Sequence, residues 1–536
     1  MVRITSELMP NSADFLSRQA VMLEMVNEFR EAEAMIYNTE EKAREKFIRR
    51  EKLLPRERIF RLLDPGSPFL ELMSLAGRKM HDDRDGSYAG GGLIAGIGYV
   101  EGKRVLVSAN NSAIKGGTIN PAGLNKSLRL LSIARENKLP IISLAESGGA
   151  NLNYATDIFI DGARTFANQA RMSAAGIPQV TVVFGNATAG GAYQPALADY
   201  TIMVRKKAKM FLAGPPLVLA AIGEETDEQS LGGAELHCEE VGTGDYLAED
   251  DVDGIRLARQ VLKDLNWRIF APIPNQYEQP CYSQEDLLGI VPTDSKIPYD
   301  AREIIARITD GSEFSEFKAD YDHQTLCGFA QIMGFSCGVL ANNGPINPEG
   351  AAKATQFIQL CDQVGTPLVF LQNTTGFMVG TRSEKGGVIK QGAKMIQAVA
   401  NARVPKITIL IGGSYGAGNY AMCGRGLDPR FIFTWPNSKT AVMGGEQAGK
   451  VLRIVAEQKH ANVGLTPDPA MLDALEQSTA DKINEESTAL FGTAHLWDDG
   501  IIDPRDTRKV LGFTLSITLE GDSRPVETNT FGIGRQ

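Results

Sequence analysis

The sequence is poor in the residues that build metal and disulfide frameworks. Its six cysteines, at 238, 281, 327, 337, 361 and 423 of 536 residues, stand far apart with no Cys-x-x-Cys pair. That spacing excludes a disulfide scaffold and a zinc ribbon. The five histidines, at 81, 237, 323, 460 and 495, never fall at His-Glu-x-x-His or His-x-x-x-His spacing, so no metal site is expected. No run approaches the roughly 18 uninterrupted apolar residues needed to span a bilayer. The opening Met1–Glu7 lacks the charged-then-apolar pattern of a secretory signal, and a cytoplasmic enzyme is the expectation. Excess positive charge is missing too: Lys+Arg 55 against Asp+Glu 65 leaves −10, which argues against a nucleic-acid or anionic-membrane partner.

The remainder is an ordinary globular mixture, 43% hydrophobic and 22% charged, long enough for more than one core. Glycine is plentiful, with 55 residues, and sits in pairs after apolar runs, where backbone can approach a ligand closely.

The chain is written twice. Ile177-Pro178-Gln-Val-Thr-Val-Val-Phe-Gly-Asn-Ala-Thr-Ala-Gly190-Gly191-Ala-Tyr193 is echoed by Val404-Pro405-Lys-Ile-Thr-Ile-Leu-Ile-Gly-Gly-Ser-Tyr-Gly-Ala417-Gly418-Asn-Tyr420, an offset of 227 (405 − 178). Pro140 before Ile-Ile-Ser-Leu pairs with Pro367 before Leu-Val-Phe-Leu at the same offset. Further upstream, Asp64-Pro-Gly-Ser-Pro-Phe echoes Asp310-Gly-Ser-Glu-Phe. The division expected is an N-terminal helical segment (1–29), a first domain (30–265), a Pro-rich linker (266–297) and a second domain (298–536). Short runs that are apolar at every position, such as Val105–Ala109, Ile141–Leu144, Val180–Phe184, Leu368–Leu371 and Ile407–Ile411, alternate with helical stretches. They read as strands buried on both faces of an α/β domain.

Each strand ends in Gly-rich turn chemistry and then a helix start, which aims free backbone N–H groups at whatever binds there. Thr-Ala-Gly190-Gly191 and Tyr-Gly-Ala417-Gly418 occupy the same slot in the two halves. Small residues there let two successive N–H groups converge on one oxygen, an oxyanion hole made of main chain. Glu146-Ser-Gly-Gly149 and Lys115-Gly-Gly117 fit the lining of a phosphate or acyl pocket, or simple turns. Gly412-Gly-Ser414-Tyr-Gly416 fits the nucleophile elbow of a serine hydrolase. Its counterpart offers Ala187-Thr188, so a serine is not part of the shared design. Gly444-Gly-Glu-Gln-Ala-Gly449-Lys450 nearly spells a P-loop, but Val451 replaces the Mg²⁺-binding Ser/Thr, and a solvent-facing helix start is expected.

Ser147-Gly-Gly-Ala-Asn151, Ala189-Gly-Gly-Ala-Tyr-Gln-Pro-Ala196 and Ser414-Tyr-Gly-Ala-Gly-Asn-Tyr-Ala-Met-Cys-Gly424 resemble the carboxyltransferase β subunits of biotin-dependent acyl-CoA carboxylases. The likeness runs from Lys52-Leu-Leu-Pro-Arg-Glu-Arg58 to Trp497-Asp-Asp-Gly-Ile-Ile-Asp-Pro504, and is greatest to the enzymes of branched enoyl-CoA esters, 3-methylcrotonyl-CoA and geranyl-CoA. It implies two crotonase-like domains of stacked ββα units. It also implies active sites formed by the N-domain of one protomer and the C-domain of another in a homo-hexameric β core. Biotin is then carried on a separate α subunit that also holds biotin carboxylase, and a coenzyme A thioester is the substrate. The resemblance assigns Gly190 and Gly191 to the acyl thioester oxygen, and Ala417 and Gly418 to the biotin carbonyl. It assigns Lys115, Gly116, Gly117, Ser147, Gly148, Gly149, Ala150, Gly162 and Ala163 to the substrate. Thr375, Gly376, Phe377, Tyr415 and Gly416 fall to biotin. Two oxyanions need two holes, and the duplication supplies two. The stretch Asp161-Gly-Ala-Arg-Thr-Phe-Ala-Asn-Gln169 is shorter and smaller than in methylcrotonyl-type relatives, which favours the longer geranyl chain. A serine hydrolase using Ser414 and a decarboxylase of a membrane biotin complex are the competing readings.

Overall fold

The computed structural model describes residues 2–294, 297–462, 464, 466–526, 529 and 531–534. The chain forms two compact units. One, the N unit, holds Glu31–Ala271, Ala494–Leu496 and Glu520–Gln536; the other, the C unit, holds Met1–Arg30, Pro272–Thr493 and Trp497–Leu519.

Each unit is built on one eight-stranded mixed sheet. In the N unit the antiparallel pair Leu93–Val100 and Lys103–Asn110 is followed by the parallel strands Ile141–Ser147, Gln179–Thr188 and Tyr200–Val204. In the C unit the antiparallel pair Thr325–Ile332 and Phe335–Asn342 is followed by the parallel strands Leu368–Thr374, Lys406–Tyr415 and Phe431–Thr434. Two antiparallel strands and a helix recur in each, the crotonase-like ββα unit. The runs that are apolar at every position lie in the middle of these sheets, where Ile142, Val182, Phe184, Val369, Ile407 and Ile409 are fully covered.

The duplication survives to single hydrogen bonds. Ile141 pairs with Gln179 and Leu368 with Lys406, each 227 residues apart from its counterpart (368 − 141; 406 − 179). Helices Pro121–Glu136 and Pro348–Val364 both begin with proline after an asparagine cap. Asn120 accepts from Gly123 N–H, and Asn347 from Gly350 N–H. Such a cap satisfies a donor that no helical carbonyl can reach. One turn further on, both helices bury a lysine. Lys126 Nζ donates to the carbonyls of Met73 at 3.0 Å, Gly90 at 3.3 Å and Leu93 at 2.7 Å. Lys353 Nζ donates to the Asp322 carbonyl at 3.0 Å. Burial pushes the Lys126 ammonium down to about 8.

One difference between the halves matters for the site. The strands before the loop are offset by 232 (342 − 110), whereas the helix caps after it are offset by 227 (347 − 120). The N unit therefore carries five extra residues between Asn110 and Asn120, and Lys115 and Gly116 lie in them.

Candidate oxyanion-hole sites

In the N unit, strand Gln179–Thr188 runs straight into the tight turn Ala189–Ala192 and the short helix Tyr193–Ala196. Ala189 makes the corner with φ +52°. That conformation costs an L-residue about 1–2 kcal/mol, and it turns the N–H groups of Gly190 and Gly191 off the strand direction. In the C unit strand Lys406–Tyr415 meets helix Gly416–Ala421 through Gly416 at φ +53°. The first-turn N–H groups of Ala417 and Gly418 have no acceptor inside that helix.

A second loop closes on each turn. In the N unit Ser147 Oγ donates to the Gly117 carbonyl at 2.6 Å, and Gly148 N–H donates to the Gly116 carbonyl at 3.1 Å. Gly149, at φ +88°, approaches so closely that a Cβ there would stand 3.6 Å from the Thr188 carbonyl. Ala150 bridges to Ile119. Lys115 Nζ lies 3.5 Å from Asp82 Oδ2 and 4.7 Å above the Tyr88 ring. In the C unit Thr374 Oγ1 accepts from Gly376 N–H at 3.2 Å. A Cβ on Gly376, at φ +117°, would stand 3.5 Å from the Tyr415 carbonyl. Residues far apart in sequence are thus brought together: 116–117 against 147–148 and Gly149 against Thr188 in the N unit, and Gly376 against Tyr415 and Gly418 in the C unit.

The glycines differ in what they leave room for. A Cβ on Gly191 would meet nothing within 4 Å, so its bareness opens space. A Cβ on Gly418 would strike Gly376 Cα at 2.8 Å, so that glycine is required for packing as well. Helix Ala155–Ala174 runs past the N-unit turn: its Phe166 ring lies 3.7 Å from where a Gly190 Cβ would be, and stacks edge-on to Tyr193 at 6.1 Å. Ile158, Gly162 and Phe166 recur at i, i+4 spacing, one stripe of that helix. Ala163 lies off the stripe and is exposed.

The carboxyl transferase domain family matches residues 47–529. The chain belongs to the carboxyltransferase family. Among solved structures, the geranyl-CoA carboxylase β subunit of P. aeruginosa is 61% identical, with a TM-score of 0.94 over 100% of both chains. The methylcrotonoyl-CoA carboxylase β chain of Dictyostelium discoideum is 48% identical over 92% of this chain and 84% of its own. The biotin-dependent 3-methylcrotonyl-coenzyme A carboxylase β1 subunit of Mycobacterium tuberculosis is 47% identical over 92% and 93%. The chain is a carboxyltransferase of the biotin-dependent acyl-CoA carboxylases, the enzyme class the motifs implied.

Several motifs of this carboxyltransferase serve purposes other than those their sequences suggest. Ser414 is fully buried, and its Oγ accepts from Asn419 Nδ2 at 2.7 Å, so it cannot attack a substrate. The near-P-loop is a helix start with Glu446, Gln447 and Lys450 exposed, but its glycine face is packed: a Cβ on Gly445 would lie 2.6 Å from the Ala480 carbonyl, and one on Gly449 2.5 Å from that of Glu476. Those glycines bring helices Gly445–Asn462 and Pro469–Glu486 together. The Phe377 ring packs against Gly392 and the core, while Thr375 nearby is exposed. All six cysteines are free thiols. Among the described residues no cluster of metal-binding side chains occurs, and no helix is long and apolar enough to cross a membrane.

Beneath the Ser147–Gly149 loop lie charges that the sequence pattern does not announce. Glu146 Oε1 accepts from Lys52 Nζ at 2.6 Å, and Oε2 from Arg58 Nη1 at 2.6 Å. Burial alone would raise its pKa, but the two cations outweigh that and hold the carboxyl below its ordinary range. The available signal was Glu146 itself, set immediately before Ser147-Gly148-Gly149.

Proposed function

We propose that the chain is the carboxyltransferase β subunit of a geranyl-CoA carboxylase, which places a carboxyl group on the γ-carbon of a branched α,β-unsaturated acyl-CoA. The observation that carries the substrate choice is the full-length likeness to the P. aeruginosa geranyl-CoA carboxylase β subunit. Gly162 adds to it, because it leaves a gap between Ile158 and Phe166 on the stripe of helix Ala155–Ala174. Burying five more carbons there contributes about 4 kcal/mol at ~0.8 kcal/mol per CH₂. A 3-methylcrotonyl-CoA carboxylase is the second reading, favoured by the names of the relatives at 48% and 47% identity.

In this reading the N–H groups of Gly190 and Gly191 receive the thioester oxygen as charge builds on it when the γ-proton leaves. Donors fixed in place before that charge appears stabilise it without reorganisation. The loops 115–117 and 147–150 hold the acyl-CoA, and the five-residue extension that bears Lys115 suits the half with the larger ligand. Ala417 and Gly418 offer the same pair of donors to the ureido oxygen of biotin, with Thr375, Gly376, Tyr415 and Gly416 around it. The main-chain donor pair fits a neutral carbonyl that becomes anionic. Carboxybiotin, delivered by a separate α subunit with biotin carboxylase and carrier segments, supplies the carboxyl group and the nitrogen base. A homo-hexameric β core and a cytoplasmic location complete the proposal.

The test is ATP- and bicarbonate-dependent carboxylation by the reconstituted αβ complex, with geranyl-CoA against 3-methylcrotonyl-CoA. Preference for geranyl-CoA, lost in Gly162→Phe, is expected. A strong preference of the unsubstituted enzyme for the five-carbon acyl group overturns the substrate choice.

A further inference from the structure

The strand that runs into each small-residue turn carries the same irregularity. Ala145 pairs with Val183 and Ser147 with Ala187, so Glu146 alone stands opposite Phe184, Gly185 and Asn186. In the C unit Gln372 pairs with Leu410 and Thr374 with Ser414, and Asn373 takes the equivalent place, 227 residues on (373 − 146). A bulge bends a strand end and re-aims the chain beyond it. The surplus residues lie on strands Gln179–Thr188 and Lys406–Tyr415, so the chain re-aimed is Ala189–Gly191 in the N unit and Gly416–Gly418 in the C unit.

The single residue facing each bulge, Glu146 or Asn373, lays its side chain across a glycine within the bulge. A Cβ on Gly185 would come within 2.8 Å of Glu146 Oε1, and one on Gly412 within 2.5 Å of Asn373 Oδ1. The two side chains are then tied down by different chemistry. Glu146 is held by Lys52, by Arg58 and by Ser112 Oγ at 3.1 Å. Arg58 is itself buried, 4.2 Å over the Phe184 ring, with its other arm 2.9 Å from Asp251. Asn373 Oδ1 accepts from Gly413 N–H at 2.8 Å, a neutral bond to the adjacent strand. The main chain at Glu146 is fixed as well: its N–H donates to Asn110 Oδ1 at 3.2 Å, and its carbonyl sits 2.7 Å from where a Gly117 Cβ would fall.

The geometry points to Glu146 and Asn373 as paired positioning residues, each locking the bulge that aims one small-residue turn. Glu146 sets the acyl-CoA seat and Asn373 the biotin seat. The inference rests on the assignment of the two halves given under Proposed function. Neither side chain touches a reacting atom; each acts through the turn it aims.

The experiment is carboxyl transfer from the carboxylated acyl-CoA product to free biotin by the full chain, with each ligand varied in turn. The carboxyl group leaves the γ-carbon, which gains a proton, and replaces the proton on the biotin nitrogen. Small displacements of a seat cost catalysis steeply, so Glu146→Gln should raise the acyl-CoA KM about tenfold or more while leaving the biotin KM unchanged. Asn373→Ala should do the reverse, and Glu146→Asp should restore part of the loss. Should Glu146→Gln fold poorly, Lys52→Met/Glu146→Gln balances the charge and should show the same KM split. Equal effects on both ligands, or a lowered unfolding midpoint with KM and kcat unaltered, overturns the inference. Absence of any transfer by the unsubstituted chain overturns the functional reading, and this inference with it.

Discussion

Gly191→Val and Gly418→Ala separate the two reasons a glycine can stand at a turn. At Gly191 a Cβ meets nothing within 4 Å and the backbone is not left-handed, so valine should fold with a stability change within about 0.5 kcal/mol. Its methyl groups would project into the space where the thioester oxygen is proposed to dock. Displacing that oxygen from one donor should lower kcat by about 10²–10³, or ~2.7–4 kcal/mol. At Gly418 the added Cβ would meet Gly376 Cα at 2.8 Å and Thr374 Cγ2 at 2.9 Å. Overpacking of that kind costs about 1–3 kcal/mol, so Gly418→Ala should lose both stability and transfer. Both variants are to be compared in the reconstituted complex by carboxylation of acyl-CoA and by unfolding midpoint. ATP-driven carboxylation of biotin, the work proposed for the α subunit, should stay at its normal rate. Near-normal acyl-CoA carboxylation by Gly191→Val would refute the reasoning and reduce that glycine to a turn residue.

Backbone strain, helix caps and a buried acid give three further outcomes. Ala189→Gly should relieve a left-handed alanine at φ +52° and hold or raise the unfolding midpoint, while Gly416→Ala, whose Cβ would meet the Val442 carbonyl at 3.0 Å, should lower stability by about 1–2 kcal/mol. Asn120→Ala and Asn347→Ala should each cost about 1 kcal/mol by removing a cap, measured by the same midpoint. Burial raises the Asp498 carboxyl to about 7. The folded state therefore keeps a proton that the unfolded chain has released, and this stabilisation is lost as pH rises from about 4 to 7, by roughly 1.4 kcal/mol per unit. Asp498→Asn should accordingly gain stability over the unsubstituted chain at pH 8 relative to pH 5; an unchanged difference would contradict the assigned burial.

Much of this architecture is legible in the sequence because tandem copying repeats the same physical constraints. Asn-Pro at 120–121 and again at 347–348 announces two helix starts, and apolar runs such as Val180–Phe184 announce central strands. The small-residue turns at 190–191 and 417–418 were legible for the same reason. Other features depend on partners distant in sequence. The bulge opposite Glu146 appears only once Ala145 and Ser147 are matched to Val183 and Ala187. The left-handed corner was hidden because it falls on Ala189 in one copy, where glycine would have advertised it. The segment 444–450 nearly spells a phosphate loop because close helix packing and phosphate binding call for the same small residue. Helix Pro469–Glu486, lying against Gly445 and Gly449, separates the two uses.

The most direct measurement is a structure of the β core soaked with an acyl-CoA and with biotin. The thioester oxygen should lie about 2.7–3.1 Å from the N–H groups of Gly190 and Gly191, and the biotin ureido oxygen equally near those of Ala417 and Gly418. Either oxygen held instead by side chains or water, with those main-chain donors pointing elsewhere, would contradict the two-hole mechanism.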